Sequence, residues 1–298
     1  MTTLQATAAW RSFSTHRRLR YDGTIAQGFD FTVARMTDSE GRQLAVRVPL
    51  GGRYSSDLND PHVDRRALLT QEYELARHLA DHGVPVARPV ELFLSDEFDA
   101  LISEYLPDDG AGVDGEVLGR TLAGLHAVPP PVVRLVADED GLSAGKVLIG
   151  RVVRRWSELA RLERGLPALP DPSALTALLP PARFPSLLHL DVRTANLRCR
   201  GRRAALVDWA NALVGDPGLE LARVTEFASI PGNGIDLDGV LRGYGGHAGE
   251  LAAAPAFALY RLDAALMLAL VFRSEAPHPV LGPEWTGHAV DRAAALPC

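Results

Sequence analysis

A chain of 298 residues with 47% hydrophobic side chains can bury one large core or two medium ones. A formal net charge of −6 argues against a protein built on nucleic-acid backbone contacts, and it suits a cationic ligand only weakly. The cysteines, Cys199 and Cys298, are too few for a disulfide framework or a cysteine metal cluster, so a reducing cytoplasm is the expected setting. Residues 10–20 are polar and basic, unlike a secretory leader. The longest apolar run, 264–272, is too short to span a bilayer and is bounded by Asp263 and Arg273, which predicts a buried core helix. Of the 31 basic residues only Lys146 is lysine.

In chain order, residues 1–20 read as a short helix or arm. Residues 24–29 and 31–36 favour strands around the turn Gln27-Gly28-Phe29-Asp30, and 37–41 form a second turn. Leu44, Val46 and Val48 then alternate with Ala45 and Arg47, so one strand face is apolar and the other carries Arg47. A long helix follows with Leu68, Leu75 and Leu79 on its apolar stripe, and Glu72 falls on that stripe. A carboxylate turned toward a core needs a partner, because burying it unpaired is costly. Arg47 is the candidate; the other reading leaves Glu72 in solvent.

Strand segments follow over 84–94 and 100–102, then Ser103-Glu104-Tyr105-Leu106, and 107–112 reads as a linker. The spacing predicts a helix over 113–127 that turns Val117, Leu118, Thr121, Leu122 and Leu125 inward, with His126 as a packing residue. Helices around 147–163 and 172–179 come next. Arg151, Arg154, Arg155, Arg161 and Arg164 give this region a basic face, either solvated or a surface for an anionic or peptide substrate. After 219 the chain reads as helical to its end, and Asp263, Glu275 and Glu284 are acids that could reach a cleft.

The chemistry concentrates between 187 and 220. The run Leu187-Leu188-His189-Leu190 ends in Asp191, and Asn196 follows five residues later. A charged turn at 198–203, holding Cys199, leads to a second apolar run that ends in Asp208-Trp209, and Gly215-Asp216-Pro217 closes the stretch. Two short strands would bring Asp191, Asn196 and Asp208 to one end of a hairpin. That set offers one carboxylate to orient a hydroxyl and two oxygen ligands for a hard divalent cation, as phosphoryl transfer requires. An ordinary hairpin would use the same residue types as turn formers.

The order H-x-D-x-x-x-x-N, then an apolar residue with D-W, then G-D-P, resembles the aminoglycoside phosphotransferase and choline kinase family. The resemblance spans roughly residues 24–275. It departs at Leu190, where the family usually has glycine, and at Arg47, where kinases have lysine; Glu220 stands where relatives often have aspartate. It implies an α+β, two-lobed protein-kinase-like fold: a small antiparallel sheet with one long helix over 1–106 and a mostly helical lobe over 107–298. It also implies ATP, or GTP, held with Mg2+ between the lobes. By matched position, Gly28 covers the nucleotide, Arg47 and Glu72 fix its α- and β-phosphates, and the backbone of Glu104, Tyr105 and Leu106 reads the base. Asn196 and Asp208 bind magnesium, Asp191 orients the acceptor hydroxyl, and Arg193 stabilises the transferring charge. His189 braces the loop, and Asp216 ties it to the following helix.

The activity so implied is O-phosphotransfer to a small hydroxylated metabolite or antibiotic. Two other readings stand beside it. One is a kinase for Ser or Thr of a peptide in natural-product biosynthesis, which the arginine-rich helix would suit. The other is an impaired, kinase-like module that binds a nucleotide or a partner, for which Arg47 speaks. Neither nucleic acid nor membrane is expected as a partner, and the oligomeric state is open.

Overall fold

The alternation over residues 43–49 builds the centre of the first lobe. The structure, a computed structural model, describes residues 11–138, 142–180, 185–201, 203–230 and 232–297; Trp10 and Cys298 lie outside them. After a short helix, α1 (11–17), come β1 (Arg20–Gln27), β2 (Phe31–Thr37), β3 (Gln43–Pro49), the short β4 (Tyr54–Ser55) and β5 (Val63–Asp64), α2 (Arg65–Asp81), β6 (Pro89–Phe93) and β7 (Ala100–Glu104). Five of the strands form an antiparallel sheet in the order β1-β2-β3-β7-β6. β1 begins earlier than expected because Gly23, at φ 140°, sits in an irregular stretch of the pairing, and a glycine inside a strand obscures its pattern.

Each sheet face has its own core. Leu44, Val46 and Val48 pack with Phe13, Met36 and Ile102, whereas Phe31 and Leu101 pack with Leu68 and Leu69 of α2. α2 starts where Asp64 accepts the N–H groups of Arg66 and Ala67, and it stops before Gly83 at φ 77°.

The second lobe contains α3 (Gly115–His126), α4 (Ala144–Leu162) and α5 (Pro172–Ala177). Then come β8 (Ser186–Leu188), a 3-10 turn at Thr194–Asn196, β9 (Leu197–Arg200), β10 (Arg203–Leu206) and β11 (Leu213–Gly215). α6 (Pro217–Ala228), α7 (Leu237–Tyr244), α8 (His247–Ala253), α9 (Pro255–Leu270) and α10 (Leu281–Ala294) complete it. α9 runs on through a π turn, Val271–Glu275. The continuous helix Pro255–Glu275 is therefore long and apolar enough to cross a membrane by length and composition, which corrects the run-length expectation. It packs as a core helix all the same: Leu259, Leu262, Leu266 and Leu270 have no exposed surface.

Two further expectations change. β8 pairs with β11 and β9 with β10, so the two apolar runs belong to different ribbons. Cys199 lies in β9 and is buried, outside the turn. The expected boundary between Leu106 and Pro107 falls between β7 and α3. One first-lobe segment nevertheless crosses over: Leu58 packs against the second-lobe core, and Asn59 donates to Met267 O (3.2 Å) and Glu275 Oε1 (2.7 Å).

α3 and α7 approach closely enough to require glycine. A Cβ on Gly119 would meet Val240 O at 2.1 Å, while one on Gly124 meets nothing within 4 Å. Alanine favours a helix over glycine by about 0.5–1 kcal/mol. Gly124→Ala is therefore expected to raise the unfolding free energy slightly. Gly119→Ala is expected to lower it by about 1–3 kcal/mol through overpacking, as read from urea midpoints.

Candidate active site

Arg47 leaves β3 on the face opposite Leu44, Val46 and Val48 and lies over the Phe31 ring, 4.3 Å from its centroid. Its Nη1 is 3.2 Å from Glu72 Oε2, and its Nη2 donates to Asp208 Oδ1 at 2.6 Å. The pairing expected between Arg47 and Glu72 is present, and the guanidinium also reaches the metal-ligand candidate. One cation thus serves two carboxylates, and the shorter contact goes to Asp208. Burial would raise the Asp208 pKa, but the Arg47 charge and hydrogen bond outweigh it and hold the group below its ordinary value. Burial, with the Asp208 charge beside it, pushes Glu72 up to about 7 against the pull of Arg47. α2 also supplies Gln71, which the sequence did not single out: its buried Nε2 donates to Trp209 O at 2.7 Å.

Asp191 follows β8, Asn196 ends the 3-10 turn, and Asp208 lies two residues beyond β10. Asp191 and Asn196 meet although they follow different ribbons, and Asp208 leaves the β9–β10 hairpin at the same end as Asn196. Val207 N–H donates to Asn196 O at 3.0 Å, which closes the end of the β9–β10 hairpin. Asn196 Nδ2 donates to Asp191 Oδ2 (2.6 Å) and to Asp191 O (3.0 Å), leaving its Oδ1 as an oxygen donor. Arg193 Nε lies 3.1 Å from Asp191 Oδ1. The Asp208 side chain keeps 30% of its surface exposed, so one of its oxygens is within reach of a ligand. An amide oxygen and a carboxylate at adjacent ends of a hairpin fit magnesium, which takes few protein ligands and completes its shell with phosphate and water oxygens.

His189 braces the loop, as expected. It is fully buried; its Nδ1 accepts the Asp191 N–H (3.2 Å), so Nε2 carries the proton donated to Val207 O (3.0 Å). Asp216 caps α6 by accepting Gly218 N–H at 2.6 Å. Gly28 lies in the β1–β2 turn, closed by its N–H to Phe31 O at 2.9 Å. The N–H groups of Glu104 and Tyr105 are already committed, to Arg88 O (2.8 Å) and Gln43 O (3.2 Å), which leaves Leu106 N–H as the free donor of that segment among the described residues.

The floor of the site was not legible beforehand. Leu190, the departure inside H-x-D, has φ 59°, in the left-handed region where side chains other than glycine cost about 1–2 kcal/mol. Glu220, fully buried in α6, accepts the N–H groups of His189 (2.5 Å) and Leu190 (2.9 Å). Burial pushes its pKa up, but His126 and His189, the latter also through its backbone N–H, more than offset this. Arg223 Nη1 donates to Leu190 O at 2.9 Å, and its Nη2 donates to Asp263 Oδ2 at 2.9 Å.

Asp263 therefore does not reach a cleft. It is buried among Arg151, Arg155 and Arg223, all within 2.9 Å. This also corrects the basic-face reading: Arg151 and Arg155 turn inward, whereas Arg161 and Arg164 are exposed. Glu275 meets Asn59, and Glu284 is exposed on α10. Among the described residues no cluster of three or more His, Cys, Asp and Glu forms a metal site.

The profile of the phosphotransferase enzyme family matches residues 24–257. A search of curated proteins finds no match. Among solved structures, a thermostable mutant of aminoglycoside phosphotransferase APH(4)-Ia superposes with a TM-score of 0.62 at 16% identity, covering 91% of this chain and 93% of that one. Macrolide 2'-phosphotransferase type I has a TM-score of 0.58 at 17% identity, over 99% and 98% of the two chains. A candidate fructosamine-3-kinase from Haemophilus somnus reaches 0.62 at 13% identity, over 97% and 98%. Another structure of the APH(4)-Ia mutant, similar at a TM-score of 0.54 and 15% identity over 91% and 93%, is a ternary complex with AMP-PNP and hygromycin B. At these identities the likeness shows a shared fold.

Burial and the nearby Asp57 push Glu275 up to about 7. A carboxyl with a raised folded pKa binds its proton more readily folded than unfolded. Its stabilising contribution is full below the ordinary value of 4.5 and is lost as pH rises through about 7. Glu275→Gln is expected to gain on the wild type, on the order of 1 kcal/mol, between about pH 5 and about pH 8, as checked by chemical denaturation at both.

Proposed function

The chain belongs to the phosphotransferase enzyme family, and on that premise we propose that it moves the γ-phosphate of ATP to a hydroxyl of a small molecule in a magnesium-dependent reaction. The observation that carries this reading is that Asn196 hydrogen-bonds Asp191 at the end of the β9–β10 hairpin where Asp208 also emerges, and that Asp208 contacts the Arg47 that pairs with Glu72. Asp191 accepts a hydrogen bond from the acceptor hydroxyl, aims its lone pair at phosphorus and takes the proton as the new bond forms. Arg193, beside Asp191 and 44% exposed at its side chain, swings to the transferring phosphoryl oxygens. Arg47 engages the α- and β-phosphates while Glu72 holds its other Nη. Magnesium, when held by Asn196 and Asp208, offsets charge on the phosphate oxygens. Leu106 N–H donates to the base, and the carbonyls of Glu104 and Tyr105 are its acceptors. Gly28, in the β1–β2 turn, lets the backbone lie against the phosphates. GTP would fit the same backbone contacts.

A relative's complex with AMP-PNP supports the nucleotide, and its hygromycin B supports a small hydroxylated acceptor. The peptide reading loses its footing, because the arginines that suggested it are partly spent on Asp263. Cys199 is a free, buried thiol, which suits a reducing cytoplasm.

The test is ADP release from Mg·ATP across a panel of hydroxyl compounds. Asp191→Asn should cut turnover by about 10²- to 10⁴-fold and retain the Mg·ATP-dependent rise in melting temperature, worth about 2.7 kcal/mol at a hundredfold excess over Kd. Turnover unchanged in Asp191→Asn would remove Asp191 from the reaction. Nucleotide binding with no turnover on any compound would instead mark a binding module.

A further inference from the structure

Leu190 poses a problem that the reaction itself does not explain. It immediately precedes Asp191, has no exposed surface, and holds φ 59°, a conformation that costs a leucine and that glycine adopts freely. Its peptide groups are gripped from both sides by α6: Glu220 takes the N–H, and Arg223 donates to the carbonyl at 2.9 Å. Arg223 is in turn fixed by Asp263 of α9, which two other arginines hold, Arg151 through Nε and Nη2 and Arg155 through Nη1, all at 2.9 Å. The side chain of Arg223 is 3% exposed, so it answers to the protein and not to solvent.

We infer that Arg223 is a positioning residue. By holding the Leu190 carbonyl against Asp263, it keeps a leucine in a turn that would suit glycine, and so keeps the Asp191 carboxylate aimed. It acts on the reacting atoms only through Leu190 and Asp191. Charge accounting makes the role testable. Three arginines surround a single carboxylate, so Arg223→Gln leaves Asp263 paired with Arg151 and Arg155 and does not strand a buried acid.

The inference that Asp191 is the group being aimed rests on the proposed phosphotransfer. The experiment therefore has an activity arm and a folding arm. Arg223→Gln is made in the wild type, in Leu190→Gly and in Leu190→Ala. The glycine variant removes the left-handed penalty, whereas the alanine variant keeps that penalty with a comparable loss of buried volume. In the wild type and in Leu190→Ala, Arg223→Gln should lower kcat by about tenfold to a hundredfold, with KM for nucleotide and acceptor within about twofold. In Leu190→Gly the same change should cost less than about threefold. Equal losses of kcat in all three backgrounds, or losses that track only the folded fraction, would overturn the inference. If the wild type turns over no compound, the phosphotransfer reading falls by itself, and the urea midpoints still decide. Coupling of Arg223→Gln to Leu190→Gly but not to Leu190→Ala supports the clamp, and additive midpoints sink it. Leu190→Asn, the other residue type that visits this region, replaces Leu190→Gly should that variant not fold.

Discussion

A single guanidinium joins the two lobes at the candidate site. Arg47 comes from the middle of the sheet, yet its two Nη atoms end on a helix of its own lobe, at Glu72, and on a loop of the other lobe, at Asp208. A planar fork with separate donors can serve two acids at different points, and the Phe31 ring beneath it adds a face for the cation. Asp208 is itself in the left-handed region, at φ 70°, where aspartate is tolerated better than most side chains. Arginine in place of lysine thus comes with a site packed around its shape. A chain with one lysine among its 31 basic residues has solved this position as it solves nearly every other.

The helical lobe repeats the same solution around acids that are themselves fully buried. Asp263 is held by three arginines, and the buried Glu226 is held by Arg261 and Arg292. A charge taken out of water is tolerated only with partners and hydrogen bonds around it. Here those pairs tie α4, α6, α9 and α10 to one another by direction as well as by apolar packing. The loop carrying Asp191 therefore rests on helices whose relative placement is fixed, and the acid inherits their rigidity.

Much of this was legible in the residues, for physical reasons. The β3 alternation and the α2 stripe placed Arg47 and Glu72 on facing surfaces, because period-two and helical spacing are local properties. Asp191, Asn196 and Asp208 stood out in the sequence because phosphotransfer chemistry would restrict residue type and order together; the structure shows where they lie. The strand partners of 187–188 were not, since a three-residue strand has no pattern of its own and its pairing is set by distant packing. The inward turn of Arg151 and Arg155 was hidden for the same reason: arginine at helical spacing looks solvated until the acid that claims it is found 108 residues or more away. Leu190 was visible as an oddity, and its backbone angle shows why glycine would suit that position.

The segment around Leu58 and Asn59 has a consequence for traffic through the cleft. Lobes joined only by 107–112 would swing about one pivot, with a stiffness set by that short stretch. Here further fastenings cross between the lobes: besides Arg47 on Asp208 and Gln71 on Trp209 O, Leu58 packs against the helical core and Asn59 holds Met267 O and Glu275, and this last pair makes a latch. Widening the gap there requires that latch to slip, and it slips by exposing more of a half-buried leucine and breaking two partly buried hydrogen bonds. A change at Leu58 or Asn59 would therefore alter how readily the lobes part without touching a side chain of the candidate site.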